Sequence, residues 1–256
     1  RLAPPQDQRR VVSVLEEAFE AIAAAKANTE KNLQNAREVF ASHLDALFAK
    51  LRSGLEQKRL EELCQRGRVI TYGVIKLGDH IEDGIPCLRT SNVRWLAIET
   101  NGMKRISQAL SKEYSRTILR GGEVLVNVRG TLGGVAAVPK SMVGWNVSRE
   151  VAVVPVDGDR LDQEFAAFWI GSRKSQEWLT GVKKGAAYTG INIEDLRNLP
   201  VPLPSTDAQK RTVEALRKAQ DAATGLEGMH ARKLAALDEL RISLLHQAFT
   251  GQLTSK

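Results

Sequence analysis

Residues 8–48 read QRRVVSVLEEAFEAIAAAKANTEKNLQNAREVFASHLDALF, and residues 209–249 read QKRTVEALRKAQDAATGLEGMHARKLAALDELRISLLHQAF. The two stretches align without a gap at a constant offset of 201 (209 minus 8), and 11 of their 41 positions are identical. Self-similarity at a fixed spacing indicates that one structural unit occurs twice in the chain. The two copies of the repeat therefore lie near the two ends of the chain, and the region between them, residues 49–208, connects them.

Both copies have the apolar spacing of a long amphipathic helix. Residues three and four apart fall on one face of a helix, and this spacing continues over about five heptads. A single helix cannot bury such a stripe, so we expect the two helices to pack antiparallel as a coiled coil. The apolar positions are Val12, Leu15, Phe19, Ile22, Leu33, Ala36, Phe40 and Leu47 in the first copy, and Val213, Leu216, Ala223, Leu234, Leu237, Leu244 and Ala248 in the second.

Polar residues interrupt both stripes near their centres. Lys26 and Thr29 take core positions in the first copy, and Glu227 and His230 take them in the second. In a symmetric antiparallel pair, the centres cross. We therefore expect Lys26 to lie within about 10 Å of Glu227 and to fix the register. Two polar residues on a solvated stretch of helix are the alternative interpretation.

The region between the helices has a different periodicity. Short apolar runs predict strands at 74–77, 123–128, 133–138 and 151–155, and 161–173 has a helical pattern. The predicted fold class is α+β, with one mixed α/β domain flanked by two long helices that pack as an antiparallel coiled coil. The predicted boundaries are 1–58 for the first helix, 59–204 for the middle domain and 205–256 for the second helix.

The middle domain carries most of the excess positive charge. The whole chain has a formal charge of +7. Residues 64–204 contribute 19 Lys and Arg against 14 Asp and Glu, which is +5, whereas residues 1–63 are neutral. A basic domain favours a polyanionic partner such as DNA. No apolar run approaches the roughly 20 residues that a membrane-spanning helix needs, so we expect no membrane partner.

Four loop clusters have the side chains that hold phosphates and read base edges. Arg, Lys, Asn and Thr are the usual contacts to DNA, and loops are where such residues act. Each side chain could equally be a solvated loop residue. The candidate DNA-binding residues are Thr71, Tyr72 and Lys76 in the first cluster; Arg89, Thr90, Asn92 and Arg94 in the second; Asn127, Arg129 and Thr131 in the third; and Lys183, Lys184, Tyr188, Thr189 and Asn192 in the fourth.

The sequence contains no recognisable catalytic arrangement. The segment 130–134 lacks the Lys-Ser/Thr of a phosphate-binding loop, and the four histidines are scattered. Cys64 and Cys87 do not have metal-ligand spacing, and we expect two reduced thiols in a cytoplasmic protein. We therefore predict no catalytic residues, no metal site and no cofactor in this chain.

Several segments, in this order, resemble the specificity (S) subunit of type I restriction–modification systems. Each motif is weak alone, but together with the framing repeat they are specific, and they cover nearly the whole chain. The segments are 4–12 (PPQDQRRVV), 70–73 (ITYG), 85–93 (IPCLRTSNV), 119–126 (LRGGEVLV) through 130–133 (GTLG), 185–192 (GAAYTGIN) through 199–204 (LPVPLP), and 245–253 (LHQAFTGQL).

The resemblance implies a role in reading DNA. A complete S subunit has two target recognition domains, each reading one half of a split target, and two conserved helices that set the spacing between them. It docks methyltransferase subunits and, through them, restriction subunits. This chain has both helices but one recognition domain, so the resemblance implies either the C-terminal portion of a longer subunit or a truncated form that pairs with a second copy. The absence of an initial Met favours a trimmed fragment.

The leading hypothesis is sequence-specific recognition of double-stranded DNA by a non-catalytic subunit. The rival hypothesis is a coiled-coil assembly adaptor whose middle domain binds protein. A weaker third is a self-sufficient nuclease or methylase. Steep salt dependence of binding distinguishes the first from the second, because phosphate contacts release counterions.

Overall fold

The computed structural model of the chain describes residues 4–52, 54–181 and 190–253. Contacts between residues divide the chain into two compact units. The helical unit comprises Arg1–Ser42 and Arg217–Lys256, and the sheet unit comprises His43–Leu216. Helix α1 ends at Arg52 and helix α6 begins at Thr206, so the division by contacts falls inside both long helices.

The described residues form six α-helices and eleven strands, with short 3₁₀ turns between them. The helices are α1 (Pro5–Arg52), α2 (Gln108–Glu113), α3 (Gln163–Gly171), α4 (Arg173–Gly181), α5 (Ile193–Arg197) and α6 (Thr206–Phe249). The strands are β1 (Gln57–Arg59), β2 (Thr71–Tyr72), β3 (Ile85–Leu88), β4 (Val93–Arg94), β5 (Ala97–Ile98), β6 (Lys104–Ile106), β7 (Val124–Asn127), β8 (Val135–Ala137), β9 (Asn146–Val147), β10 (Val151–Val154) and β11 (Pro200–Pro202).

The helical unit is an antiparallel helix pair, as the repeat predicted. Lys26 Nζ lies 2.7 Å from Asp238 Oδ1, and Arg37 Nε lies 2.9 Å from Glu227 Oε2. Moving eleven residues forward along α1 corresponds to moving eleven residues back along α6, so the helices run in opposite directions. The interface between the two helices is only partly buried from solvent. Ile22, Thr29, Ala36, Phe40 and Ala223 are buried, and most other predicted seam positions are half-buried.

The predicted register was wrong. Lys26 pairs with Asp238, and Glu227 pairs with Arg37. Lys26 and Glu227 are therefore offset by eleven residues, which is about 16 Å along the axis. Both bridges join the same two repeat positions, because 26 corresponds to 227 and 37 to 238 at the offset of 201. The two salt bridges therefore occupy equivalent repeat positions. Their charges are not equivalent, because both cations lie on α1 and both anions lie on α6.

The sheet unit is built around a four-stranded antiparallel sheet with strand order β2-β10-β7-β8. All four residues of β7 and of β10 are buried, which explains their continuous apolar runs. Helix α3 packs against β7 and β8, and the side chain of Asp162 caps it by accepting hydrogen bonds from the amides of Glu164 and Phe165. The second and third apolar runs, which the sequence predicted as strands, form the antiparallel hairpin β7–β8.

The end of α1 belongs to the sheet unit and changes its buried face there. The stripe passes from Phe40 to Leu44 and Phe48 at steps of four residues, instead of continuing through Leu47. The Phe48 ring meets those of Phe165 and Trp169 edge-on, with centroids 5.3 and 5.2 Å away. Aromatic packing therefore holds the last turns of α1 on α3.

Smaller sheets complete the unit, and one predicted strand is absent. Strand β3 lies between β6 and β9, β1 pairs with β11, and β4 pairs with β5. The strand predicted at 74–77 is not formed, and β2 lies just before it. Val74 makes a single bridge to Ser148, after which Ile75 and Lys76 are exposed. The apolar run 74–77 therefore did not indicate a buried strand.

Candidate nucleic-acid interface

One end of the four-stranded sheet gathers loops from distant parts of the sequence. Strands β2 and β7 end there, and β8 and β10 begin there, because neighbouring strands are antiparallel. Further loops are tied to the same end by the contacts described below. We call this surface the loop face and define it as residues 73–76, 89–94, 128–134, 148–150 and 190–192.

Asn127 ties the second predicted cluster to the third. Its Nδ2 donates to the carbonyl oxygens of Thr90, Val93 and Thr131 at 3.3, 3.0 and 3.1 Å. A Cβ on Gly134 would overlap both the Asn127 amide and the Val93 carbonyl, so glycine is required at this crossing. Asn127 is 1% exposed, and its amide holds loops together within the protein.

Asn92 has a similar internal role. Its Oδ1 accepts from the Arg89 amide at 3.1 Å, and its Nδ2 donates to the Glu99 carbonyl at 3.0 Å. It is also 1% exposed. Asn92 and Asn127 were both candidate DNA contacts, but a buried side chain with these bonds reaches a base only if its loop opens. We therefore assign these two asparagines to positioning the loops.

The fourth cluster enters the loop face through its last residues. The Ile191 amide donates to the Val128 carbonyl at 2.7 Å, and Arg129 forms a bridge with Gly190. Asn192 is exposed, and its Oδ1 caps α5 by accepting from the Glu194 amide at 3.1 Å. The candidates Lys183, Lys184, Tyr188 and Thr189 lie outside the described residues.

Thr71 and Tyr72 form a ridge between two open clefts on the edge strand β2. The first cleft has a volume of about 410 Å³ and the second about 370 Å³. The first is lined by Thr71, Tyr72, Gly73, Ile75, Glu113, Tyr114, Arg116 and Thr117. The second is lined by Thr71, Tyr72, Val128, Arg129, Ile191, Asn192, Ile193, Glu194 and Arg197. The clefts thus bring residues of the first, third and fourth clusters together.

The remaining candidates differ in how far they are available to a ligand. Lys76 and Thr131 are exposed, and Thr90 is half-buried. Arg89 is half-buried, and its guanidinium donates to the Gly102 carbonyl at 2.9 Å. Arg94 is exposed and lies 3.1 Å from the Glu99 carboxylate.

Two arginines near these loops were not predicted from the sequence. Arg116 lines the first cleft from a short helical turn, and no spacing in the sequence links it to β2. Arg149 lies two residues before β10, and its position before a predicted strand was a usable signal. Its guanidinium lies 3.2 Å from the Glu150 carboxylate. Burial raises the pKa of Glu150, but hydrogen bonds and the charge of Arg149 outweigh it, so the net pKa is lowered. Glu150 therefore stays anionic and offsets the charge of Arg149.

The two thiols are poor nucleophiles and metal ligands. Cys87 is fully buried on β3, and Cys64 is half-buried and donates to the Leu60 carbonyl. Burial raises the pKa of each thiol to about 12, whereas a reactive cysteine needs a lowered pKa. In the described part of the chain, no three His, Cys, Asp or Glu side chains could jointly hold a metal ion. Nor is any described helix long and apolar enough to cross a membrane.

Comparison with known proteins places the chain in a family. Residues 53–234 match the type I restriction modification DNA specificity domain. The chain belongs to this family. The specificity subunit of the type I restriction enzyme EcoBI from Escherichia coli is 29% identical over 197 residues, which cover 77% of this chain and 41% of that subunit. The chain therefore spans less than half the length of this relative.

Solved structures of the family share the fold. The HsdS subunit from Thermoanaerobacter tengcongensis aligns with a TM-score of 0.56 at 21% identity, covering 98% of this chain and 60% of that one. A chain from a study of complex assembly and conformational transition of the type I R-M system aligns with a TM-score of 0.72, also at 21% identity, covering 97% and 60%. This chain therefore shares with these solved structures a fold of two long helices with one mixed α/β domain between them in the sequence.

Proposed function

We propose that the chain recognises a DNA sequence through the loop face. One observation carries this proposal: loop segments near residues 72, 90, 129 and 191 converge at one end of one sheet, in a chain of the specificity-domain family. Convergence of basic and polar loops on a rigid sheet is how a protein presents side chains to DNA grooves. The net charge of +5 within 64–204 favours the same partner.

The exposed candidates divide by the chemistry of their side chains. Arginine donates two parallel hydrogen bonds and suits a guanine edge, whereas lysine is a point charge that suits phosphate. We therefore assign Arg129 to base reading and Lys76 to phosphate contact. Thr131 and Asn192 are exposed beside Arg129 in sequence or space and complete the proposed contact set.

We further propose that this chain reads one half of a two-part target and docks methyltransferase subunits, and through them restriction subunits, by its helical unit. Its single mixed domain and its coverage of 41% of the EcoBI subunit support the half-target assignment. Exposed apolar side chains on both helices, including Val39, Leu226, Met229 and Ile242, suit a helical protein partner. The chain would supply neither catalysis nor a cofactor, and it would act in the cytoplasm.

Selection from a randomised duplex library tests the proposal. The full chain, with and without a methyltransferase subunit, is incubated with the library at moderate salt, and the bound duplexes are sequenced. We expect enrichment of one short sequence, and log-affinity that falls linearly with log salt concentration. If no sequence is enriched and affinity does not depend on salt, the DNA assignment is wrong and the protein-binding adaptor becomes the better explanation.

A further inference from the structure

The main chain at Arg129 is held from two sides. The amides of Val128 and Arg129 donate to the Glu150 carbonyl at 2.9 and 3.4 Å, just before β10. On the other side, Arg129 forms a bridge with Gly190, next to the bond from Ile191 to Val128. The Cα of Arg129 is therefore fixed relative to the sheet, although the residue lies in a loop. A side chain that reads a DNA sequence needs such a rigidly held backbone.

Tyr72 presents its ring to the side chain of Arg129. The guanidinium carbon of Arg129 lies 5.8 Å from the ring centroid, within the range of a cation–π contact. Tyr72 lies in β2, the edge strand of the sheet, where it pairs with Ala152 of β10, and the residue is 42% exposed. An aromatic ring on a regular strand is a rigid support, because it has only two side-chain torsions.

We infer that Tyr72 is a positioning residue that holds the Arg129 guanidinium for reading a guanine in the major groove. This inference rests on the proposed function of the loop face. Arginine meets O6 and N7 of guanine with two donors, and this geometry distinguishes guanine from the other bases. A free arginine loses much side-chain entropy when it is fixed, and prior support by Tyr72 reduces that loss when DNA binds.

Arg116 provides an internal contrast on the other side of the same ridge. It lies in the other cleft with Glu113 and Tyr114, and its side chain is exposed. No cation–π contact or ion pair of Arg116 is found among the described residues, so no such contact holds its guanidinium in place. We assign it to phosphate contact. Arg129 and Arg116 thus lie on opposite sides of Tyr72, one supported and one not.

Library selection with four variants of the full chain and its methyltransferase subunit tests the inference. Arg129→Ala should lower the preference for guanine at one target position by about 5-fold or more. Tyr72→Leu should lower the preference at that same position by about 2- to 5-fold, because only the cation–π contact is lost. Tyr72→Phe, which retains the ring, should restore most of the preference that Tyr72→Leu loses.

Arg116→Ala is the matched control. It should weaken binding to all sequences alike and reduce the salt slope by about one, without changing the preferred sequence. Tyr72→Leu that leaves the guanine preference intact, or that weakens every sequence equally, overturns the positioning role. If the wild-type chain itself enriches no sequence, the proposed function fails instead, so the two failures are distinguishable.

Discussion

The sheet unit and the helical unit each contain an ion pair of nearly the same length in very different surroundings. In the sheet unit, Arg68 lies 2.8 Å from Glu123, and their side chains are 11% and 0% exposed. In the helical unit, Lys26 lies 2.7 Å from Asp238, and their side chains are 30% and 54% exposed. Burial, and not distance, therefore separates the two pairs, because water screens the exposed charges and not the buried ones.

The same contrast holds for the apolar contacts of the two units. Strands β7 and β10 are buried along their whole length, whereas most seam positions of the helix pair are only half-buried. A pair of helices has too few neighbours to remove its stripe from water. We therefore expect substitutions in the sheet unit to cost more free energy of unfolding than equivalent substitutions in the helical unit.

The largest expected effect is that of removing one partner of the buried pair. Arg68→Ala leaves the Glu123 carboxylate buried without its cation and should lower the free energy of unfolding by about 3–5 kcal/mol. Urea denaturation followed by circular dichroism measures this loss. Lys26→Ala, the same operation on an exposed pair, should cost about 1 kcal/mol or less. Equal losses for the two variants would remove the proposed difference between the units.

A second test adds one methyl group to a crowded backbone crossing in the sheet unit. A Cβ on Gly73 would overlap the Val147 carbonyl, and backbone atoms cannot rotate away as a side chain can. Gly73→Ala should therefore destabilise the protein by about 1–3 kcal/mol. The melting temperature of the variant checks this, and an unchanged value would mean that the β2 segment is looser than its contacts indicate.

The helical unit should respond to the same substitution with the opposite sign. A Cβ on Gly225 meets nothing within 4 Å, and the residue lies in the interior of α6. Alanine restricts the unfolded chain more than glycine does, so Gly225→Ala should raise the free energy of unfolding by about 0.5–1 kcal/mol. The same denaturation measurement applies, and a loss of stability would show that α6 needs flexibility at this point.

The sequence predicted elements better than it predicted their neighbours. The heptad stripes of the repeat indicated two long helices, and the runs around Val126 and Val153 indicated central strands. Apolar phase fixes which face of a helix is buried but not how far one helix slides along the other, and for that reason Lys26 was assigned the wrong partner. Tyr72 and Val153 are about 80 residues apart in sequence. The pairing of their strands, β2 and β10, became evident only in the fold.

Polar side chains of the loop face show a second limit. Asn92 and Arg129 have equally suitable chemistry for contacting DNA, and both follow a strand. Only the fold distinguishes the buried amide of Asn92, which bonds three backbone groups of its own loop region, from Arg129, whose guanidinium lies over an exposed tyrosine ring. Residue type led to the candidate loops, whereas burial determines which of their side chains are accessible to a ligand.

The smallest expected effect concerns the two salt bridges between α1 and α6. Repeat positions 26/227 and 37/238 carry cations on α1 and anions on α6. Exchange of one pair, Lys26→Asp with Asp238→Lys, keeps opposite charges in contact. It should restore most of the loss of about 0.2–1 kcal/mol that each single substitution causes.

A double-mutant cycle on the full chain measures this coupling at low and at high salt. The coupling should shrink as salt rises, because exposed charges are screened. Arg37→Ala is the control, since it removes the neighbouring pair without affecting Lys26 or Asp238. If the exchanged variant is as unstable as the sum of its single substitutions, the ion pairs do not fix the register, and the apolar stripe alone must do so.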